Sequence, residues 1–354
     1  MKKVKVGVIG CGYMAQMAHI PCLAANPEAE LVALCDCRKT VAQELCRRYG
    51  IPHAAANEEE LLAMDLDAVY ILTPAQHHLA GISAALAAGM AVFTEKPAAM
   101  SEASIRKLAS AGGRGVTVGY MKRYERNIAE FREIRRNSAW GKLLFVRAHS
   151  FVGSEWNALV HALSPVVSSS EAAPELDVSQ LDPGPEWLWE PRDGKFYSFD
   201  NPYYALLDTG CHSVNLLRYL AGDAAVTGVR NANGVKIVDF DFNGAPGTME
   251  FCINFNMHRF DEVTELYYEK ASVRIMTPAP LDRQSSATVE IYSEDGGLHR
   301  RLLLDETRQW AFAAETDAFL RRVLDNDTAS ADLEEAACDV KIIENIYKKE
   351  KGAK

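Results

Sequence analysis

The stretch Lys3–Met14, with the sequence KVKVGVIGCGYM, decides the fold of this chain. Its apolar run Val4–Ile9 predicts a buried strand, and the G-x-G-x-x-A turn Gly10–Ala15 follows directly, in front of a helical pattern. In such a turn the first glycine permits the tight bend, the second lets a pyrophosphate approach the backbone, and the small last residue lets the helix pack on the strand. The expected contacts of a dinucleotide here are Gly10, Gly12, Tyr13 and Met14.

An acidic residue at the end of the next strand supports this interpretation. Asp36 follows a second predicted strand, Glu30–Cys35, and lies 24 residues beyond Gly12. A carboxylate at this distance accepts a hydrogen bond from the ribose 2′-hydroxyl of NAD and repels the 2′-phosphate of NADP. The sequence therefore favours NAD over NADP, although Arg38 follows closely and can weaken that preference.

The rest of the N-terminal third alternates short apolar runs with helical patterns. Further strands are predicted over 51–55, 67–72, 91–94 and 115–120, and helices over 40–49, 57–64, 78–88 and 101–111. Strands and helices that alternate at this spacing predict a doubly wound parallel sheet of the α/β Rossmann class, whose ligand lies beyond the carboxyl ends of the strands. We expect Pro21 to interrupt the helix that begins at Tyr13, because proline has no N–H to donate.

The pattern changes near residue 123. The predicted strands become longer and look antiparallel, at 143–151, 226–232, 235–242, 248–257, 264–275, 288–293 and 298–304, and two helices close the chain at 310–324 and 332–349. We expect an NAD(P)-binding Rossmann domain over 1–122. Over 123–354 we expect an α+β domain with a large open, mainly antiparallel sheet for substrate binding and oligomerisation.

A segment rich in proline and aromatic residues, 152–204, separates these patterns. It holds six of the 14 prolines and eight aromatic residues, among them Trp156, Trp187 and Trp189. Long segments without periodicity are lids, binding loops or disordered chain, and the aromatic content argues against disorder. The rings either face a sugar ring or fill a satellite core or a subunit interface.

Composition and charge exclude several classes of partner. The formal net charge of −10 disfavours nucleic acid and anionic membranes. No apolar run reaches the roughly 18 residues that a membrane helix needs. The opening residues superficially resemble a secretion signal, but Lys5 breaks the apolar stretch, so we expect a mature cytoplasmic protein. The eight cysteines form no C-x-x-C pair, so we expect buried free thiols and no metal site.

Lys96 is the first candidate for chemistry. It lies in Glu95-Lys96-Pro97 directly after the fifth predicted strand, at the sheet edge where a nicotinamide would lie. A lysine there can hydrogen-bond a substrate hydroxyl or carbonyl. The alternative is an ordinary surface lysine.

A second candidate is the run Asp208–His212, which we expect to open a helix. The i, i+4 spacing puts Asp208 and His212 on one helix face, and Asn215 continues that face. A carboxylate beside an imidazole orients its tautomer and raises its basicity, as a general base near neutral pH requires. Two alternatives stay open: a capping aspartate beside a satisfied histidine, and half of a metal site that has no H-x-x-x-H partner in the sequence.

Six motifs together resemble the Gfo/Idh/MocA oxidoreductase family over nearly the whole chain. They follow the family's order and spacing: the turn at Gly10, Asp36, Thr73-Pro74 with His78, Glu95-Lys96-Pro97, Gly119–Tyr124 and Asp208-x-x-x-His212. The resemblance implies a nicotinamide cofactor and hydride transfer to or from a secondary alcohol or ketone of a sugar, an amino sugar or a cyclitol. Because the face of an open sheet must be covered, we also expect a homodimer or homotetramer.

The resemblance also implies residue roles. His212 would remove the hydroxyl proton, Asp208 would hold the imidazolium, and Lys96 would stabilise the charge on oxygen. Implied cofactor contacts beyond the glycine-rich turn and Asp36 are Arg38, Thr73, Pro74, His78, Glu95 and Lys96. The implied substrate contacts are Met121, Lys122, His149 and Asn215. Of these, His149 is implied by the alignment of Leu143–Phe151 with family members.

Two departures from the family fall on the substrate side. Asn215 stands where many relatives carry an aspartate, and the segment 152–204 is longer than its counterpart in family members. Rival functions are an NAD-using lyase or glycosidase with a transient redox cycle, and a non-catalytic sensor of NAD or sugar on the same fold. The intact set of Lys96, Asp208 and His212 weighs against the sensor.

Overall fold

The computed structural model of the protein describes residues 2–111, 115–156, 166–172, 177–188, 190–191, 193–306, 309–325 and 331–352. The chain forms two compact units, each built from three segments. Unit 1 comprises Met1–Gly119, Ser164–Asp208 and Glu315–Lys341, and unit 2 comprises Tyr120–Leu163, Thr209–Ala314 and Ile342–Lys354. The chain thus leaves and re-enters each unit, which a single division at residue 122 does not anticipate.

Unit 1 contains a sheet of six strands in the order β3-β2-β1-β4-β5-β6. The strands are β1 (Val4–Ile9), β2 (Ala29–Cys35), β3 (His53–Ala55), β4 (Ala68–Ile71), β5 (Ala91–Glu95) and β6 (Val116–Gly119). Every neighbouring pair runs parallel, which confirms the predicted doubly wound sheet. The strand order reverses between β1 and β4, and ligands of such sheets bind beyond the carboxyl ends of the strands at this point.

Helices flank the sheets of both units. They are α1 (Ile20–Ala25), α2 (Lys39–Tyr49), α3 (Glu58–Leu62), α4 (His78–Ala87), α5 (Glu102–Ser110), α6 (Arg126–Arg136), α7 (Pro202–Ala205), α8 (Cys211–Ala221), α9 (Ala311–Leu324) and α10 (Ala331–Glu350). The predicted interruption at Pro21 is wrong. Ala15–His19 form a π-helical turn that runs directly into α1, so the helical backbone continues through Pro21.

Aromatic rings join a helix from late in the chain to the sheet of unit 1. Tyr70 on β4 stacks on Phe93 on β5, with ring centroids 4.4 Å apart. Phe319 on α9 meets both rings edge-on, at 5.3 and 5.6 Å. All three rings are buried, so α9 completes the core that β1 begins.

Part of the proline- and aromatic-rich segment also packs into unit 1. The backbone N–H of Met100 donates to Asp182 at 2.7 Å, and the Tyr203 hydroxyl donates to the carbonyl of Met100 at 2.7 Å. Trp187 meets the buried ring of Tyr203 edge-on. The rings of Trp187 and Tyr203 thus fill a small second core, which is one of the alternatives that the sequence left open. Trp189 lies outside the described residues.

Unit 2 contains a sheet of eight strands in the order β14-β13-β12-β11-β7-β10-β9-β8. The strands are β7 (Leu143–Val152), β8 (Ala225–Ala232), β9 (Val235–Phe242), β10 (Ala245–Ile253), β11 (Asp261–Tyr268), β12 (Ala271–Met276), β13 (Thr288–Asp295) and β14 (Leu298–Leu304). Neighbours run antiparallel except β7 and β10, which run parallel. The predicted large, mainly antiparallel sheet is thus confirmed.

Turn residues explain which hairpins the sequence predicted correctly. Asn243 and Gly244 have φ values of 54° and 97° and form the predicted two-residue turn between β9 and β10. The predicted single strand 264–275 is wrong, because the chain reverses at Glu269 and Lys270 between β11 and β12. Neither residue is a typical turn former.

The described part of the chain also bears on the cysteines, on membrane-spanning helices and on groups of metal ligands. The cysteines there are free, but Cys37 is exposed and Cys22 and Cys338 are half-buried, so the expectation of buried thiols is wrong for these three. No described helix is long and apolar enough to cross a bilayer. No group of three or more potential metal ligands occurs among the described residues.

Candidate active site

The glycine-rich turn after β1 has no room for a side chain at its first glycine. Gly10 has a φ of +90°, and a Cβ there would lie 2.6 Å from the backbone of Leu72 and Thr73. A Cβ on Gly12 would meet nothing within 4 Å, so open space lies beside the first N–H groups of the following helix, which have no partner within the helix itself. The turn therefore offers room for a pyrophosphate at a helix N-terminus.

Asp36 ties the end of β2 to this turn. Its carboxylate accepts hydrogen bonds from the backbone N–H groups of Cys11 and Arg38, both at 2.8 Å. The Arg38 guanidinium lies 3.5 Å from one oxygen of the same carboxylate. A carboxylate and a guanidinium therefore lie side by side at the corner where Rossmann folds bind the adenosine ribose.

His78 joins the loops after β4 and β5. Its Nδ1 lies 2.7 Å from the carbonyl oxygen of Pro97, and its Nε2 lies 2.7 Å from the carbonyl oxygen of Thr73. Burial lowers the pKa of this imidazole and outweighs the opposing effect of the two carbonyl contacts. Because both ring nitrogens are engaged within the protein, His78 holds the two loops together rather than offering a polar atom to a cofactor.

Glu95 has a contact that sequence reasoning missed. His19 Nε2 lies 2.9 Å from its Oε1, and the backbone N–H of Lys96 donates to its other oxygen at 3.1 Å. Burial acts to raise the pKa of Glu95, but the contacts with His19 and Lys96 outweigh it and hold that pKa below its usual range. His19 is buried and fixes the carboxylate that precedes Lys96. The one signal of it in the sequence is its place on the helix after the glycine-rich turn.

Lys96 and Asp208 form an ion pair within unit 1. Lys96 Nζ donates to Oδ1 of Asp208 at 3.1 Å and to the backbone carbonyl of Asp208 at 2.8 Å. The two side chains are 14% and 25% exposed, so Lys96 is not an ordinary surface lysine. Solvent and small molecules can still reach the pair.

Tyr204 lies beside this ion pair and was missed by sequence reasoning. Burial and, after it, the carboxylate of Asp208 raise the pKa of the phenol to about 12. Tyr204 is therefore protonated at neutral pH. Its spacing of four residues before Asp208 is a helical one, but the surrounding sequence has no periodicity that would have revealed it.

Asp208 does not open a helix, contrary to prediction. The helical stretch begins earlier, at α7, where Asn201 Oδ1 accepts a hydrogen bond from the N–H of Tyr203 at 2.8 Å. Leu206–Gly210 then form a π-helical turn that carries Asp208 and runs into α8. Single π-helical turns inside helices are frequent at functional sites.

Helix α8 carries His212 and Asn215 in unit 2. His212 lies in its first turn, and its ring meets Tyr120 edge-on at 6.3 Å. Asn215 is buried, and its Oδ1 accepts a hydrogen bond from Arg123 Nε at 2.7 Å. Met121 is buried as well. Asn215 thus holds Arg123 in place. The substrate contact that the resemblance implies for Asn215 stays a prediction.

Lys122 takes part in a buried ion pair in unit 2. Its Nζ lies 2.6 Å from Oε1 of Glu262, which also accepts hydrogen bonds from Ser150, Ser213 and Thr277. Burial acts to raise the pKa of Glu262, but Lys122 and the hydroxyl donors outweigh it and lower that pKa. The ammonium of Lys122 links β11 with its neighbours, and the substrate contact that the resemblance implies for Lys122 stays a prediction.

His149 lies on the other face of the unit 2 sheet. Side chains alternate along a strand, so Ser150 faces Glu262 and α8 whereas His149 faces away from them. His149 Nδ1 lies 2.8 Å from Oε2 of Glu250. A cleft of about 400 Å³ is lined in part by His149 and Arg147. His149 and His212 are therefore not on the same face of this sheet.

Comparison with known proteins matches residues 4–120 to a model described as an oxidoreductase family with an NAD-binding Rossmann fold. Through this domain, the chain is similar to the Gfo/Idh/MocA oxidoreductase family. The matched region includes the glycine-rich turn, Asp36 and the Glu95-Lys96-Pro97 motif of this chain.

Curated relatives are similar mainly over part of the chain. The inositol 2-dehydrogenase/D-chiro-inositol 3-dehydrogenase of Shouchella clausii is 32% identical over 152 residues, 41% of this chain and 43% of the relative. The D-glucoside 3-dehydrogenase of Escherichia coli is 28% identical over 151 residues, 42% of this chain and 43% of the relative. The chain thus spans less than half the length of these two relatives. An inositol 2-dehydrogenase of Rhizobium meliloti is 23% identical over 329 residues, 90% of this chain and 88% of the relative.

Solved structures share the fold of this chain over 99% of its length. The UDP-N-acetylglucosamine 3-dehydrogenase of Acidithiobacillus ferrooxidans is 17% identical with a TM-score of 0.71 and covers 99% of each chain. A 3-ketoreductase from Actinomadura kijaniata in complex with NADP is 18% identical with a TM-score of 0.71 and covers 99% of this chain and 98% of the other. The chain has the fold of these proteins, with a Rossmann sheet and a large second sheet.

The residues of unit 1 fit a nicotinamide dinucleotide. Open space at Gly12 leaves room for the pyrophosphate, and Asp36 lies at the corner for the ribose. Thr73 Oγ1 is buried and has no hydrogen-bond partner among the described residues. Such an orphaned hydroxyl suits a polar group of a bound cofactor, since an unpaired buried polar atom is otherwise costly.

Proposed function

We propose that the chain is an NAD(P)-dependent oxidoreductase that transfers a hydride between the nicotinamide and a secondary alcohol or ketone of a sugar, an amino sugar or a cyclitol. The observation that carries this proposal is the Lys96–Asp208 ion pair, which lies directly after β5 at the carboxyl edge of the Rossmann sheet. The names of the relatives, which include inositol and D-glucoside dehydrogenases, support the same class of substrate.

The side chains divide the work of the proposed oxidation. A bound nicotinamide supplies the hydride acceptor or donor. Lys96 donates a hydrogen bond to the reacting oxygen and stabilises the negative charge that develops there. Asp208 holds the ammonium of Lys96 in place through the contact at 3.1 Å. His212 takes the hydroxyl proton as general base, and in the reverse reduction it returns that proton.

We assign the remaining contacts as follows. Unit 2 is the substrate-binding and oligomerisation unit, and His78 and His19 position loops of the cofactor domain. The proposed cofactor contacts are Gly10, Gly12, Tyr13, Met14, Asp36, Arg38, Thr73, Pro74, Glu95 and Lys96. We propose NAD as the preferred cofactor, because the carboxylate of Asp36 accepts a 2′-hydroxyl and repels a 2′-phosphate.

We also propose that the protein works as a homodimer or homotetramer in the cytoplasm. The outermost strand β14 leaves Leu298, Leu302 and Leu303 exposed at the edge of the unit 2 sheet. A second copy would cover such an edge. Light scattering on a sizing column measures the mass, and a particle of 39.0 kDa at micromolar concentration would contradict this assembly.

Absorbance at the reduced-nicotinamide band tests the proposed function. The purified chain is mixed with NAD or NADP and with a panel of cyclitols, hexoses, D-glucosides and amino sugars. We expect reduced nicotinamide to accumulate with one class of substrate. Lys96→Met should then lower turnover by about a hundredfold or more, in the range of a lost electrostatic stabiliser.

Lys107→Met is the matched control, because Lys107 is an exposed lysine on α5 of the same unit. It should keep wild-type turnover. Tight NAD binding without accumulation of reduced nicotinamide on any panel member would overturn the dehydrogenase and favour a closed redox cycle or a sensor.

A further inference from the structure

A short part of the insertion crosses the adenosine side of the cofactor domain. We call residues 166–171 the strap. The N–H of Val167 donates to Gln16 Oε1 at 2.7 Å, and its carbonyl accepts from Gln16 Nε2 at 3.0 Å. Gln16 is buried on the helix after the glycine-rich turn, and it also donates to the carbonyl of Cys11 at 2.9 Å. One end of the strap is thus fastened to the expected pyrophosphate site.

The other end of the strap lies on the first turn of α2. Ser169 Oγ lies 2.7 Å from Thr40 Oγ1, and Glu171 Oε2 accepts a hydrogen bond from the backbone N–H of Thr40 at 3.4 Å. Arg38, the residue before α2, provides no side-chain cap for this helix. The carboxylate of Glu171 therefore binds the backbone N–H of Thr40, which lies two residues after Arg38.

This corner decides between NAD and NADP in Rossmann folds. A 2′-phosphate seeks a guanidinium and free N–H groups at a helix start. Here both kinds of group already face carboxylates, since the Arg38 guanidinium lies 3.5 Å from Asp36 and the N–H of Thr40 donates to Glu171. A 2′-phosphate would have to compete with two negative charges for the same donors.

We propose that the strap covers the adenosine ribose and that Glu171, together with Asp36, selects the 2′-hydroxyl of NAD against the 2′-phosphate of NADP. This inference rests on the proposed function, because it concerns the cofactor site of the same enzyme. Asp36 also accepts backbone hydrogen bonds that hold the glycine-rich turn. Glu171 is exposed, so its charge can be removed with little effect on folding.

Calorimetric titration of the 354-residue chain with NAD and with NADP measures this selection without any turnover. Glu171→Gln should tighten NADP binding about fivefold to tenfold, the order expected for one exposed charge opposite a phosphate. Its NAD affinity should stay within twofold of wild type. Glu171→Lys should raise the affinity for NADP relative to NAD still further, because a lysine attracts the 2′-phosphate that the glutamate repels.

Glu186→Gln is the matched control, since Glu186 is an exposed glutamate of the same insertion and its loss changes the net charge equally. It should leave the ratio of the two dissociation constants unchanged. An unchanged ratio in Glu171→Gln and Glu171→Lys would overturn the role of Glu171 while leaving the oxidoreductase intact. A wild-type chain that bound neither NAD nor NADP would overturn the proposed function and this inference together.

Discussion

Glu315 on α9 is a carboxylic acid enclosed in unit 1. It is 1% exposed, and neither of its carboxylate oxygens has a hydrogen-bond partner among the described residues. Burial and, after it, the nearby carboxylates of Glu95 and Asp332 raise its pKa well above the usual value of 4.5. Glu315 therefore keeps its proton to a higher pH in the folded protein than in the unfolded chain, and this links the stability of unit 1 to pH.

We expect the contribution of Glu315 to stability to fall as pH rises above 4.5. Between that value and the raised folded-state pKa, the folded chain keeps a proton that the unfolded chain has released, so a higher pH favours unfolding. Each unit of pKa shift corresponds to roughly 1.4 kcal/mol. Glu315→Gln is neutral at every pH and should flatten the decline of the unfolding free energy as pH rises above 4.5, as measured by urea denaturation.

Glu130→Gln is the control for this measurement, because Glu130 is an exposed residue of α6. It should keep the wild-type dependence on pH. If Glu315→Gln also kept it, Glu315 would not be protonated in the folded protein.

His212 is the proposed general base, and its removal gives a second prediction at this scale. His212→Ala should lower kcat by about a hundredfold or more, as expected for a lost proton acceptor. The affinity for NAD should stay near wild type, since His212 is not among the proposed cofactor contacts. Steady-state rates and calorimetry measure the two effects, with the exposed His53→Ala as control. Unchanged turnover would remove His212 from the mechanism.

Single residues were predictable where a local motif placed them. Lys96 follows a recognisable strand, and Asp36 lies at a known distance from the glycine-rich turn. His19 and Glu315 had no such signal, because their partners are distant in sequence: His19 meets Glu95 from 76 residues away. Only the folded chain brings such groups together.

The cap of α7 is the start of the helical stretch that carries Asp208. Asn201 Oδ1 accepts the N–H of Tyr203, and Asn201 Nδ2 donates to Glu190 at 2.6 Å. Asn201→Ala should lower the unfolding free energy by about 1 kcal/mol, the usual value of a helix cap. It should also lower kcat, because the π-helical turn holding Asp208 loses its anchor. Asn201→Ser keeps an oxygen for the cap and should retain most of the unfolding free energy and of kcat. Equal losses of these two quantities in Asn201→Ser and Asn201→Ala would contradict the capping role.

At the scale of elements, the sequence predicted most helices and strands but not their irregularities. Alternating apolar runs and glycine-ended helices were enough for the Rossmann sheet. The turn at Glu269 and Lys270 was missed because neither residue favours a turn. The π-helical turn at Leu206–Gly210 and the parallel pairing of β7 with β10 were missed because backbone register is set by packing, which periodicity does not record.

At the scale of the whole molecule, the cofactor unit depends on residues far from the family motifs. Phe319 closes the aromatic core formed by Tyr70 and Phe93. Residues 1–122 expressed alone should therefore expose these rings, bind a hydrophobic dye and aggregate, whereas the 354-residue chain should not. Dye fluorescence and sizing chromatography measure this difference. A monomeric fragment with cooperative unfolding would show that β1 to β6 and their helices suffice.

The segmented build of unit 1 also has a consequence during synthesis. Chains emerge N-terminal first at about 5–20 residues per second, so roughly 10–40 s separate the completion of β6 from that of α9. During this interval the nascent sheet presents Tyr70 and Phe93 without their cover. A ribosome-bound chaperone that shields apolar surface would have its greatest effect on this protein in that window, and a slow codon run just before residue 315 would lengthen the exposure.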